Sequence, residues 1–366
     1  MTSTPRRSLV LRLLPVTGLA AALAIGGLFL RCQEAVVSPH SRAYAYAYSP
    51  PDNRIQAAIN KHDGVAFATL AMDITLAHPE RFQRGASEEA FRANRPLMSW
   101  LAWATALGRH GAVEWALLVW SVLGVAALVF AAGWFAETVG ADPRQAAVAT
   151  LALPATAVLA TYVGLADGVG TALSLFGMGL WLRDRRRASV AVLILAVLAK
   201  ESGLLVVAAL GLWEVFGKHQ WRRAPMLLVP CAIYGAWTAL VAWRLGYWPT
   251  SPEVNNHGGS GFRTSLPGLG LWRSLHIWGI DEVFALLLIA TLVVLALRRC
   301  HRGPLAIFVA LGVAYASATG WGIWGDVINF PRVLLPTTVV AIVMLLTPRE
   351  SALHEDRSSA RPAAVL

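Results

Sequence analysis

Long apolar stretches separated by short basic runs dominate the chain and restrict what it can fold into. "RDRRR" (Arg183 to Arg187), "KHQWRR" (Lys218 to Arg223) and "RRCHR" (Arg298 to Arg302) each stand between apolar segments. A stretch of about 18 or more apolar residues is long enough to cross a bilayer as a helix. Soluble domains carry roughly 25% charged residues, whereas this 366-residue chain has 14%. With 56% hydrophobic residues and a mean hydropathy of +0.55, the expected fold is all-α and polytopic, in a membrane.

Basic residues in short loops stay on the cytoplasmic side. That places the three basic runs there, with Arg6, Arg7 and Arg12 at the start and the tail after Pro348. The net charge of +10 is thereby accounted for by location, and no nucleic-acid partner is implied. Ten crossings satisfy every loop, at about 13–30, 112–136, 145–162, 165–182, 188–200, 202–217, 225–244, 280–297, 304–320 and 332–347. The chain then forms one integral membrane domain over 1–366, with its first transmembrane helix at 13–30. A large outer loop with amphipathic helices follows at 31–110, then nine transmembrane helices over 112–347 and a disordered cytoplasmic tail at 348–366. Both termini are expected on the cytoplasmic side. The basic start and first apolar span also have the form of a signal peptide. The small residues of "AYAYAYS" lie well beyond that span, so an uncleaved anchor is expected. Cys32, Cys231 and Cys300 show no pairing pattern, hence no disulfide frame or metal knuckle. The 15 tryptophans suit helix ends and a lipid or sugar site near the interface.

The segment "ASVAVLILAVLAKESGLLVVAALGLWEVF" lies between two basic runs on the same side, so it must cross an even number of times. It is expected to be a hairpin of two short helices, with "AKES" as its outer turn. Lys200 and Glu201 then share a side with the large loop. Being adjacent, they point about 100° apart on a helix and cannot be assumed to pair.

Several other outer residues are candidates. "NKHDGVAFATLAMDITLAHPERF" has a helical apolar stripe suited to a membrane surface, with Asp63 at its start. A carboxylate there caps helix nitrogens, and spacing alone does not separate that role from acid–base chemistry. Asp73 lies about three helical turns on and could share its face. "EEAFRANRPLMSW" brings Arg92 and Arg95 to the outer surface, as interfacial anchors or as a phosphate clamp. "RPLMSWLAWATALG" is too short to cross and is expected to lie at that surface. Asp167 in "YVGLADGVG" sits at an outer turn, a polar turn residue or a substrate contact. Lys200 either marks a tight corner or aims at a phosphate. Arg332 follows "WGDVINFP", with Asp326 nearby. His257 has no second ligand at metal spacing. No phosphate loop, hydrolase elbow or zinc helix is present.

These patches, in this order and on this side, resemble the GT-C superfamily of integral membrane glycosyltransferases. "HDGVAFATLAMD", "RANRPLMSWLAWA", "LAKESGLL" and "NFPRVLLPT" are similar to its first-loop acidic, R-x-P-L, K-E and late R-xx-x-P elements. The position next to the acidic residue, often aromatic there, is His62 here. The resemblance implies sugar transfer from a polyprenyl-phosphate carrier to an acceptor hydroxyl, in envelope glycan or glycolipid assembly. Asp63 would be the catalytic base or orient the acceptor, and Arg92, Arg95, Lys200 and Arg332 would hold the lipid phosphate. Asp73, Asp167 and Glu201 complete the expected substrate-binding set. The expected partners are a polyprenyl-phosphate sugar, a glycan or lipid acceptor and membrane lipids. No cofactor is firmly implied, and a divalent metal stays open. The alternatives are a transporter or flippase for a lipid-linked or anionic solute, and a catalytically silent relative.

Overall fold

The computed structural model describes residues 8–37, 51–60, 63–82, 92–162, 164–246, 248–249, 279–299, 303–319, 324 and 329–348. Asp326, His257, His62 and the tail from 349 onward lie outside the described residues.

Among the described residues there are helices and turns and no strand. The N-terminal helix α1 spans Leu9–Glu34. Part of the large loop forms α2 (Arg54–Ile59), α3 (Gly64–Met72) and α4 (Pro96–Thr105). The body continues with α5 (Val113–Thr138), α6 (Pro143–Leu151), α7 (Pro154–Thr161) and α8 (Asp167–Leu182). After the first basic run come α9 (Arg186–Ala199) and α10 (Gly203–Leu212), the latter ending in a π-helical turn at Trp213–Gly217. The remainder is α11 (Leu228–Leu245), α12 (Ile280–Arg299), α13 (Pro304–Ser317), α14 (Phe330–Val333) and α15 (Leu335–Leu346).

Three helical segments are long and apolar enough to cross a membrane singly: Leu9–Glu34, His110–Thr138 and Ala224–Leu245. Shorter apolar helices cover Gly203–Gly217, Pro304–Ser317 and Leu335–Leu346. Ten uninterrupted spans were the expectation, and proline explains part of the difference. Pro154 lacks an N–H and its ring crowds the carbonyl four residues back. The segment expected as one span is therefore split into α6 and α7. The carbonyl concerned, that of Thr150, accepts a hydrogen bond from the Thr156 hydroxyl at 2.7 Å. Pro336 stands likewise at the start of α15, so the last expected span is split into α14 and α15. The chain also breaks at "AKES": α9 ends at Ala199, Lys200 is extended (φ −159°, ψ 137°), and α10 begins at Gly203.

The helix after Asp63 differs from the surface helix that its stripe suggested. In α3 every residue from Gly64 to Ala71 is buried, so no face is left for a membrane surface. Its one polar side chain in that stretch, Thr69, donates its hydroxyl to the Val65 carbonyl at 2.9 Å. The helix packs between α4 and α5, inside the protein. One consequence is that Asp63, at its N-terminus, is delivered to the interior of the helical body.

Candidate functional site

Close backbone contact sets the first part of the site. Gly164 has φ +76°, and a Cβ there would lie 2.5 Å from the Cα of Gly64. Only glycine permits both the left-handed backbone and the approach. The Gly164 N–H donates to the Ser121 hydroxyl of α5 at 2.9 Å, which fixes the turn. Asp63 and Asp167, which flank these glycines, are thus brought together from separate segments. One turn into α8, a Cβ on Gly170 would lie 3.0 Å from the Lys200 Cβ. That contact seats the corner between α9 and α10 beside the start of α8, where the Lys200 ammonium donates to the Asp167 carboxylate.

The arginines arrive on anchored backbone. Pro96 starts α4 with its φ already helical, leaving Arg95 at the cap position. The preceding residues are held by α11: Trp237 Nε1 donates to the Ala93 carbonyl at 2.9 Å and the Thr238 hydroxyl to Asn94 Oδ1 at 2.8 Å. Asn94 also donates to the Tyr234 hydroxyl. Arg332 is carried by the short helix α14, next to Phe330, which stacks on Trp324 with ring centroids 5.7 Å apart.

Seven of the eight candidate residues meet in one network. Asp63 accepts from Arg92 Nε at 2.9 Å and from Arg332 Nη2 at 3.3 Å, with Arg95 Nη1 at 3.9 Å. Asp167 accepts from the same Arg332, at 2.8 Å from Nη2 and 3.2 Å from Nε. Arg95 grips Glu201 with two bonds of 2.7 Å, and the Tyr315 hydroxyl of α13 donates to Glu201 at 3.3 Å. Among the described residues four cations and three carboxylates therefore meet here. Asp63 sits at the N-cap position of α3 without capping it; its oxygens go to guanidinium groups instead. Burial pushes the Asp63 carboxyl up, but Arg92, Arg332 and Arg95 outweigh it and hold it down to about 2. Burial acts on Glu201 in the same direction, and Arg95 again prevails, keeping its carboxyl below the usual range. Both acids are ionised at neutral pH.

Asp73 is not part of this network. The helix ends at Met72, and Asp73 accepts backbone N–H bonds from Ala77 at 2.9 Å and His78 at 2.7 Å. It closes the turn after α3, because its carboxylate satisfies nitrogens that a continuing helix would have used. Tyr315, Tyr234, Asn94 and Thr238 were not anticipated. A tyrosine in the otherwise apolar "PLAIFVALGVAYAS" was the available signal for the first of them.

A second ionic group was also missed, at the other end of α8 and α9. Glu214 lies in the π-helical turn and is 0% exposed. It accepts from Trp181 Nε1 at 2.9 Å and Arg186 Nη1 at 3.0 Å, and Arg186 also meets Asp184 at 2.8 Å. The glutamate inside the apolar "GLWEVF" was a legible sign.

Among the described residues no three His, Cys, Asp or Glu side chains gather in a way that could hold a metal ion. No protein-family model, curated protein or solved structure matches the chain.

Proposed function

We propose that the chain is a GT-C-type membrane glycosyltransferase. It moves a sugar from a polyprenyl-phosphate carrier to an acceptor hydroxyl at the outer face of a bacterial-type cytoplasmic membrane. The observation that carries this reading is the gathering of cations within an apolar helical body. Guanidinium and ammonium groups from separate segments converge on Asp63, Asp167 and Glu201. A phosphate is the ligand that matches such forks.

In this mechanism Asp63 takes the proton of the acceptor hydroxyl as its oxygen bonds to the anomeric carbon. The bond from that carbon to the phosphate oxygen breaks, and its electron pair stays on the phosphate. The leaving polyprenyl phosphate gains one negative charge, which Arg92, Lys200 and Arg332 stabilise where it develops. Arg95 and Glu201 orient the remaining polar groups. The ten-crossing topology, with both termini cytoplasmic, belongs to the same proposal. The pairs α6–α7 and α14–α15 each cross as broken units, and α9 and α10 form a hairpin with Lys200 and Glu201 at its outer corner. Asp63 then shares that outer side, and "RDRRR" lies at the cytoplasmic one.

The test is transfer from radiolabelled polyprenyl-phosphate sugars in membranes. With Asp63→Asn, stably inserted, transfer is expected to fall by about 10²–10⁴-fold, the scale of a lost general base. Transfer at the wild-type rate contradicts the role given to Asp63. A transporter is the second reading, favoured by the proline-broken helices, which such proteins use at their sites. It would move the labelled lipid across a vesicle wall without consuming it.

A further inference from the structure

We propose that Asp63 is held idle by the very arginines that take the ligand's phosphate, so that arrival of a phosphodiester releases the carboxylate for proton transfer. This inference rests on the transferase reading and concerns how its site is switched on.

The three carboxylates are not held alike. Asp167 is 2% exposed and is gripped by Lys200 and by two nitrogens of Arg332. Glu201 is gripped by both nitrogens of the Arg95 fork at 2.7 Å. Asp63, 17% exposed, receives a single nitrogen from each of three arginines, at 2.9, 3.3 and 3.9 Å. Arg95 holds Glu201 with two nitrogens at 2.7 Å, whereas Arg92 and Arg332 are the arginines that hydrogen-bond Asp63, each through one nitrogen. Arg332 Nη2 is already shared, and its shorter contact goes to Asp167 at 2.8 Å rather than to Asp63 at 3.3 Å. Asp63 is therefore the acid that gives way when a competing anion enters.

The exchange also answers a chemical difficulty. A carboxylate surrounded by three guanidinium groups has little affinity for a proton and is a poor base at neutral pH. An incoming phosphodiester accepts from Arg92 and Arg332, removing two of the three cations from Asp63 and placing a like charge beside it. Both changes raise its proton affinity. Among the described residues, the charged groups that face Asp63 are Arg92, Arg95, Arg332 and Asp167, with Lys200 and Glu201 behind them. No bond is made or broken in the exchange; two ion pairs are traded for two others.

Binding of a polyprenyl phosphomannose, whose phosphodiester keeps one charge across the range used, tests this on the full chain in nanodiscs. Asp63→Asn is expected to bind the lipid about tenfold more tightly than wild type at pH 7, a modest coupling, because the competing carboxylate is gone. The same variant is expected to lose transfer. Unchanged or weaker binding by Asp63→Asn overturns the exchange. A pH series supplies the second arm. Histidine side chains as a class titrate in this range and His62 adjoins Asp63 in sequence, so that series uses His62→Gln protein throughout. Binding is expected to tighten from pH 7 to pH 5 as Asp63 takes up a proton in the complex. A flat profile overturns the exchange even where Asp63→Asn fails to insert. Absence of saturable binding by wild type at every pH overturns the transferase reading itself and the exchange with it.

Discussion

The hairpin of α8 and α9 carries an ionic cluster at each end, and the two are built differently. The 16 residues of α8 separate them by about 24 Å along its axis, at 1.5 Å per residue. At one end Asp63, Asp167 and Glu201 meet four cations, and several of these side chains keep part of their surface exposed. At the other, one guanidinium serves two acids: Arg186 binds Asp184 and Glu214, and it lies 4.4 Å from the Trp181 ring centroid. Glu214 Oε2 has no hydrogen-bond partner among the described residues. The second cluster is centred on a wholly buried acid held by one guanidinium; in the first, Asp63 and Glu201 keep part of their surface exposed and four cations share the acids. Ion pairs in an apolar body do not by themselves mark a binding site. What sets the first apart is the convergence of cations from separate segments on acids that keep part of their surface exposed.

Removing one arginine from each end should separate the two roles. Arg332→Ala deletes the group that bridges Asp63 and Asp167, and transfer is expected to fall about 10³-fold, as for a lost oxyanion contact. Arg186→Ala leaves Glu214 buried without its cation, which should destabilise the protein by about 3–5 kcal/mol. Thermal unfolding in detergent would register that loss, while transfer by the folded fraction stays near wild type. Equal losses of transfer from both variants would erase the distinction.

A geometric variant comes next in size. Gly164→Ala meets the Gly64 backbone and must adopt a left-handed φ. A shift of about 1 Å between Asp63 and Asp167 is expected to cost about 10²-fold in transfer. The second cluster, on the far side of α8, should keep its stability contribution.

Acidification tests the electrostatics. The Asp63 carboxyl is held at about 2, against an ordinary 3.8. A depressed value means stability that is complete above about pH 4 and is lost as pH falls towards 2. The thermal midpoint of wild type should fall over that window, and Asp63→Asn should show a shallower fall. An identical acid profile in both proteins would mean that the arginines do not favour the ionised form.

The smallest effect belongs to Asp73. Asp73→Asn weakens two backbone hydrogen bonds, with an expected cost of about 1 kcal/mol and transfer within about twofold of wild type. A loss comparable to that of Asp63→Asn would return Asp73 to the site.

Much of this organisation was legible in the sequence, and for identifiable reasons. Counting basic loops turned "AKES" from charges stranded in hydrocarbon into a corner between two helices, where α9 ends and α10 begins. Lys200 and Glu201, expected on the side of Asp63, share a network with it. Asp73 was misplaced because helical spacing was extended through it, although a carboxylate can end a helix as readily as ride on it. The surface role of α3 failed for a related cause. Its apolar residues occupy every face, and a stripe cannot be told from full burial when one short segment is read alone. Pro154 and Pro336 mark the breaks in two expected spans, and a count of basic loops takes no account of proline. The neutral partners Asn94, Tyr234 and Thr238 are joined only through tertiary contact, which no local pattern records.

The central claim is that the cation-rich end holds a lipid-linked phosphate. A structure of the protein in nanodiscs with bound polyprenyl phosphate tests it most directly. The phosphate is predicted within hydrogen-bond reach of Arg332 and Arg92, with Asp63 drawn away from both. Density for the phosphate at the Arg186–Glu214 end, or at neither end with Asp63 still gripped by its arginines, would contradict it.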